Sequence, residues 1–98
     1  MDLKGARITV TGGSGFLGKH VVSELMSRGA SEIFVPRHKD FDLVRREGCA
    51  KLFLEARPEV LIHLAAKVGG IGANRDNPGT FFYENLMMGA QLLEEARI

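Results

Sequence analysis

Along this chain the apolar positions switch repeatedly between a strand rhythm and a helix rhythm. Ile8 and Val10, separated by Thr9, form an apolar run that stops at a glycine cluster, which predicts a buried strand from Arg7 to Thr11. Phe16, Leu17, Val21, Val22, Leu25 and Met26 then recur at three-to-four spacing, predicting a helix from Gly15 to Arg28 with Gly29 as its stop. A short strand is expected over Glu32–Val35, bounded by Pro36. Leu43, Val44, Leu52 and Phe53 suggest a second helix from Leu43 to Ala56, although Gly48 inside it weakens that pattern. Pro58 breaks the chain. Val60–Leu64 is an almost continuous apolar run, typical of a buried parallel strand. Small residues dominate Ala65–Asn77, and Pro78 suits the first turn of a last helix that runs to Arg97.

Strands alternating with helices in the order β-α-β-α-β-α imply parallel strands joined by crossovers. The fold class read from this order is α/β, the N-terminal half of a doubly wound (Rossmann) fold, with an expected strand order 3-2-1. That order leaves strand one as an exposed apolar edge, which natural proteins avoid. The last helix raises the same difficulty, because Phe81, Phe82, Leu86, Met87, Met88, Leu92 and Leu93 wrap most of its circumference. Two explanations are open. Either residues 1–98 are the N-terminal part of a longer NAD(P)-binding domain, without its catalytic and substrate regions, or the last helix packs on a partner, a second copy of the chain being the natural choice. Both can hold together.

Composition narrows the function. Ninety-eight residues make at most one small domain. A net charge of +1 gives no reason to expect nucleic acid as partner. The single cysteine, Cys49, excludes an internal disulfide, fits a reducing compartment and reads as an inert structural thiol. The N-terminus has no apolar leader segment and no run approaches membrane-spanning length, so a cytoplasmic protein is expected.

Chemistry concentrates at the first strand-to-helix turn. Gly13, Gly15 and Gly18 fit G-x-G-x-x-G, and Gly12, Gly15 and Gly18 fit G-x-x-G-x-x-G. Such a motif is informative only between a strand and a helix, which is its context here. The glycines permit the tight turn, the approach of a pyrophosphate to the backbone, and close helix–strand packing. The phosphates would rest on free N–H groups at the helix N-terminus. A glycine turn serving packing alone is the plainer alternative. At the end of strand two, a carboxylate would bind the adenosine ribose of NAD, whereas a basic residue accommodates the extra phosphate of NADP. Arg37, followed by His38 and Lys39, stands there with no carboxylate at the tip, favouring NADP over NAD, with a solvated basic loop as the plainer alternative. Asp42, next to Leu43, either accepts from the adenine amine or caps the following helix.

Thr11-Gly-Gly-Ser-Gly-Phe-Leu-Gly18, Asp42-Leu43 and Ile62-His-Leu-Ala-Ala66 together resemble the extended short-chain dehydrogenase/reductase superfamily of sugar-nucleotide epimerases and dehydratases. Ala65-Ala-Lys-Val-Gly-Gly-Ile-Gly-Ala-Asn74, Asn77-Pro78 and Phe82-Tyr-Glu-Asn-Leu-Met-Met88 are more distinctive and resemble the GDP-L-fucose synthase branch. The resemblance covers essentially the whole chain. It implies an NADPH-dependent 3,5-epimerase/4-reductase acting on GDP-4-keto-6-deoxy-mannose. It also implies that Gly12, Gly13, Ser14, Gly15, Phe16, Leu17 and Gly18 hold the pyrophosphate and that Arg37 faces the 2′-phosphate. Leu64, Ala65 and Ala66 would line the adenosine-ribose side, while Val68, Gly69 and Gly70 would approach nicotinamide and sugar. Asn85 either supports the active site or is a helix asparagine bonded to backbone.

The chain departs from the branch in ways that bear on activity. The catalytic serine, the Tyr-x-x-x-Lys pair and the epimerisation cysteine and histidine of such enzymes lie beyond the third-strand region. Tyr83 is followed four residues on by Met87 rather than lysine. Cys49 precedes strand three and does not match, and His63 reads as a core histidine. Lys67 does not match the branch's catalytic lysine. Ser14 offers no second basic contact to a 2′-phosphate. No catalytic or metal-ligating residue is therefore expected here, and these residues alone are expected to bind cofactor without turnover. A fragment of another sugar-nucleotide epimerase, dehydratase or reductase, and a non-catalytic NADP-binding module, are the alternatives.

Overall fold

The computed structural model describes residues 3–65 and 78–97. Its elements are β1 (Arg7–Thr11), α1 (Phe16–Ser27), β2 (Glu32–Phe34), α2 (Arg46–Ala56), β3 (Val60–His63) and α3 (Pro78–Arg97). The three strands form one parallel sheet in the order β2-β1-β3. The α/β class, the parallel pairing and the β1–β2 adjacency match the sequence reading. The difference lies in β3, which pairs with the far side of β1, with Ile8 opposite Val60 and Thr11 opposite His63, instead of lying outside β2. β1 is thus the central strand, and the exposed apolar edge expected for it does not exist.

The reason is visible in burial. Ile8, Thr9, Val10 and Thr11 are all buried, so β1 needs a neighbour on each edge and cover on each face. The edges fall instead to β2 and β3, which are three and four residues long. Short edge strands offer little template for unwanted pairing.

Side-chain alternation assigns the faces. Ile8 and Val10 pack with Val22, Leu25, Ala30, Ile33, Val60 and Ile62 on the α1 side. The opposite side holds Phe41, Leu43, Cys49, Leu52, Met88 and Leu92, gathered from the β2–α2 segment, α2 and α3, with Leu61 of β3 against them. The sheet is therefore covered on both faces, as doubly wound folds require.

Local signals account for most boundaries. α1 ends as expected at Gly29, whose φ is +100°; its N–H donates to Met26 O at 3.1 Å and Ala30 N–H to Leu25 O at 3.0 Å. Those two bonds satisfy carbonyls that the helix end would orphan. α2 starts at Arg46, three residues later than the apolar pattern suggests. Phe41 and Leu43 drop into the core from extended chain first, and Phe41 meets Phe34 edge-on at 5.6 Å. Asp42 accordingly does not cap α2. Its Oδ1 accepts from Val44 N–H at 3.2 Å and its Oδ2 lies 3.5 Å from Arg45, while Arg45, at the cap position, makes no side-chain cap bond. Gly48 fits its helix for a packing reason: a Cβ there would fall on the Asp42 carbonyl oxygen.

Candidate functional site

The chain leaves the central strand for β2 by way of α1 and returns to β3 by way of α2 on the opposite face. Such a switch opens a crevice at the carboxyl ends of the strands. At that end, Gly12 has φ +73°, and a Cβ on it would stand 2.7 Å from Ala65 N and 2.8 Å from Leu64 C. Only glycine meets both demands, the left-handed turn and the close approach of the β3 exit. Gly15 N–H closes the turn on Gly12 O at 3.0 Å. A Cβ on Gly18 would fall on that same Gly12 oxygen, so α1 lies directly against the turn. The cap position of α1, Gly15, supplies no side-chain bond, and its first turn carries no acidic residue. Among the described residues its leading N–H groups thus have no side-chain cap, and they suit an anion, supported by the helix dipole.

Thr11 ties this turn to β3. Its Oγ1 accepts from Leu64 N–H at 3.0 Å and from Ala65 N–H at 3.2 Å, and lies 2.6 Å from His63 Nδ1. Leu64 N–H is also 2.9 Å from Thr11 O, continuing the ladder beyond the strand.

Two adjoining hollows open over the turn. One, of about 430 Å³, is lined by Gly12, Ser14, Gly15, Phe16, Leu17 and Gly18 together with Leu64 and Ala65. The other, of about 580 Å³, runs under the tip of β2 past Arg37, His38, Phe41 and Leu43. They share Gly12, Ser14, His38, Ala65 and Met88, and so form one continuous cleft. Its shape suits an extended ligand with a phosphate-bearing middle. Phe16 and Leu17 stand exposed at its mouth, so the apolar stripe expected on α1 is only partly core, carried by Val22 and Leu25.

Most residues expected at the site therefore meet in space. Gly13 lies beneath the cleft, where a Cβ would come within 2.8 Å of a Val35 methyl. Arg37 is exposed on the wall beside the β2 tip. Asp42 faces a neighbouring hollow with His38, Tyr83 and Glu84. Ala66, Lys67, Val68, Gly69 and Gly70 lie outside the described residues. Asn85 is half-buried on α3. Sequence reasoning missed Met88, His38 and the Thr11–His63 contact. Met88 is one of many apolar positions on α3, and nothing in their spacing singles out the one that reaches the cleft. The Thr11–His63 contact depends on β1–β3 register, which no local pattern carries.

The described residues supply binding groups in preference to reactive ones. Burial, reinforced by Glu95 and Asp42, pushes the Cys49 thiol up to about 11, and its Sγ donates to Leu43 O at 3.3 Å. A protonated, buried thiol is a poor nucleophile. Among the described residues no group of three His, Cys, Asp or Glu side chains could hold a metal ion.

A parallel sheet wound on both faces, with a glycine turn leading from its central strand into an uncapped helix, defines a dinucleotide-binding α/β fold. The chain belongs to the NAD dependent epimerase/dehydratase family, whose pattern matches residues 8–98. It is 41% identical over 92 residues to a GDP-L-fucose synthase of Sinorhizobium fredii, covering 94% of this chain and 29% of that protein. Two solved structures share the fold. A GDP-mannoheptose C4 reductase from Campylobacter jejuni with NADP bound superposes with a TM-score of 0.88 at 29% identity, over 98% of this chain and 30% of that one. A GDP-L-fucose synthetase from Naegleria fowleri bound to NADP gives 0.75 at 33% identity, over 93% and 28%. The chain thus spans less than a third of the length of these relatives.

Proposed function

We propose that these residues form the NADP-binding part of a GDP-L-fucose synthase, an enzyme that epimerises GDP-4-keto-6-deoxy-D-mannose at C3 and C5 and reduces it at C4. The observation that carries the reading is the cleft over the Gly12–Gly18 turn, with an uncapped helix at its centre and Arg37 on its wall. In this reading the N–H groups opening α1 hold the pyrophosphate, and Arg37 pairs with the 2′-phosphate. Leu64 and Ala65 support the adenosine side, and Val68, Gly69 and Gly70 approach nicotinamide and sugar. Bound NADPH supplies hydride to C4. In this reading the small residues of segment 68–70 would not obstruct the approach, and proton transfer falls to residues of the parent enzyme outside these 98. The 98 residues alone bind cofactor without turning substrate over.

A second reading has its own support. The chain is 35% identical over 91 residues to a GDP-L-colitose synthase of Yersinia pseudotuberculosis, so the parent could reduce a different GDP-sugar on the same cofactor half. A cytoplasmic setting and a homodimer joined through α3 complete the proposal. Leu86 and Leu93 leave apolar surface exposed along that helix.

Arg37→Ala tests the cofactor assignment. NADPH affinity should fall about tenfold or more while NADH affinity changes less than twofold, since a charge-assisted phosphate contact is worth about 1.5–3 kcal/mol. Fluorescence titration of both cofactors measures it, and equal losses for the two would refute Arg37 as the phosphate reader.

A further inference from the structure

We infer that His63 is a positioning residue for the cofactor cleft, acting through Thr11 in its neutral form with the ring proton on Nε2. Its consequence for binding rests on the dinucleotide reading above; the bonding pattern rests on geometry alone. Ala65 N–H points at Thr11 Oγ1 at 3.2 Å, and Leu64 N–H is shared between that oxygen at 3.0 Å and Thr11 O at 2.9 Å. An amide can only donate, so the hydroxyl accepts from both, and its two lone pairs are engaged. Its own hydrogen must then go to the remaining neighbour, His63 Nδ1 at 2.6 Å. Nδ1 is therefore the acceptor, which fixes the tautomer.

Protonation of His63 breaks this arrangement. Nδ1–H would become a third donor aimed at an oxygen with two lone pairs. The hydroxyl of a fully buried Thr11 would either leave its hydrogen without a partner or rotate and release Ala65. That backbone is what Gly12 is pressed against, with 2.7 Å from a Cβ position to Ala65 N. Loosening Leu64–Ala65 therefore loosens the first residue of the phosphate turn. His63 is exposed at the end of β3 and not the core histidine expected from the sequence; it borders a hollow with Leu61, Gly89, Leu92, Leu93 and Ala96, and among the described residues neither these nor Thr11 is titratable. Partial burial, with one edge of the ring against Thr11, holds the imidazole below its ordinary value of 6.5. The folded chain thus binds fewer protons than the unfolded one, and this contribution to stability is complete above about pH 6.5 and lost as pH falls through the folded value.

Two measurements on the 98-residue chain decide the matter. Long-range proton–nitrogen NMR of the histidine rings should show His63 as the Nε2–H tautomer at pH 7.5. Exchange of the Ala65 amide, corrected for intrinsic pH dependence, should quicken about tenfold as His63 titrates, the scale of one buried hydrogen bond, while Leu64, also held by Thr11 O, changes less. An Nδ1–H tautomer, or protection indifferent to that titration, overturns the inference whether or not cofactor binds. The second measurement compares NADP⁺ affinity at pH 7.5 and 5.5 in the wild type and in His63→Asn, which keeps an acceptor oxygen near the Nδ1 position and cannot titrate. Every other titrating group on protein and cofactor is common to both. The wild type should lose about tenfold more affinity than the variant. Matching pH slopes overturn the positioning role, while absence of NADP⁺ binding in both proteins counts against the cofactor reading and leaves the NMR result to decide the bond.

Discussion

Gly12 and Gly29 both sit at positive φ, yet they answer to different constraints. A Cβ on Gly29 meets nothing within 4 Å, whereas one on Gly12 meets the Leu64–Ala65 backbone. Gly29→Ala should therefore cost only the left-handed penalty of about 1–2 kcal/mol. Gly12→Ala should cost that and a displaced β3 exit besides, about 2–5 kcal/mol in all. Urea denaturation of the two variants checks the ranking, and equal losses would mean that the turn yields freely to a methyl group. Cys49 gives a second test at this scale. With its thiol pushed up to about 11 and its side chain buried, it should resist iodoacetamide at pH 8 in the folded chain and react promptly in denaturant. Rapid labelling of the native chain would contradict the packing described for α2. The glycine turn was legible in the sequence because its residues are local and each constraint falls on glycine. The role of Gly48 was not, since the Asp42 carbonyl it avoids is brought there by a bend that no spacing encodes.

Element boundaries were legible where a stop signal is local and obscure where tertiary packing decides. Gly29 closes α1, and Pro58 separates α2 from β3, as expected. The start of α2 moved to Arg46 because Phe41 and Leu43 are more useful in the core than on a helix. On α3 the apolar residues wrap so widely that periodicity alone could not choose a packed face. The structure chooses Met88 and Leu92, which are 5% and 2% exposed, against α2, and leaves Leu86 and Leu93 outside at 54% and 75%. Leu92→Ala should thus cost about 2–5 kcal/mol. Replacing Leu86 and Leu93 together by glutamate should leave the melting temperature of a monomer nearly unchanged, as surface substitutions usually do within about 0.5 kcal/mol. If α3 joins two copies, the same double variant should sediment as a monomer where the wild type sediments as a dimer. A dimer that survives it would remove this helix face from the interface.

For the whole molecule, the sequence carried the alternation of strands and helices and therefore the class of fold. It did not carry which edge of β1 receives β3, because a β-α-β pattern is compatible with a crossover to either side. The deciding term is the burial of β1, four of whose five residues lose contact with solvent. Centring that strand brings Thr11 beside His63, places the glycine turn at the point where the chain reverses its winding, and opens the cleft between the β2 tip and the β3 exit. In the proposed function, cofactor binding belongs to this half-sheet.

The most direct test of that claim is a titration of the purified 98-residue chain with NADPH and with NADH, following nicotinamide fluorescence and melting temperature together. Saturable binding that favours NADPH is expected, with the melting temperature rising as the site fills. A folded chain that binds neither cofactor, or that prefers NADH, would contradict it.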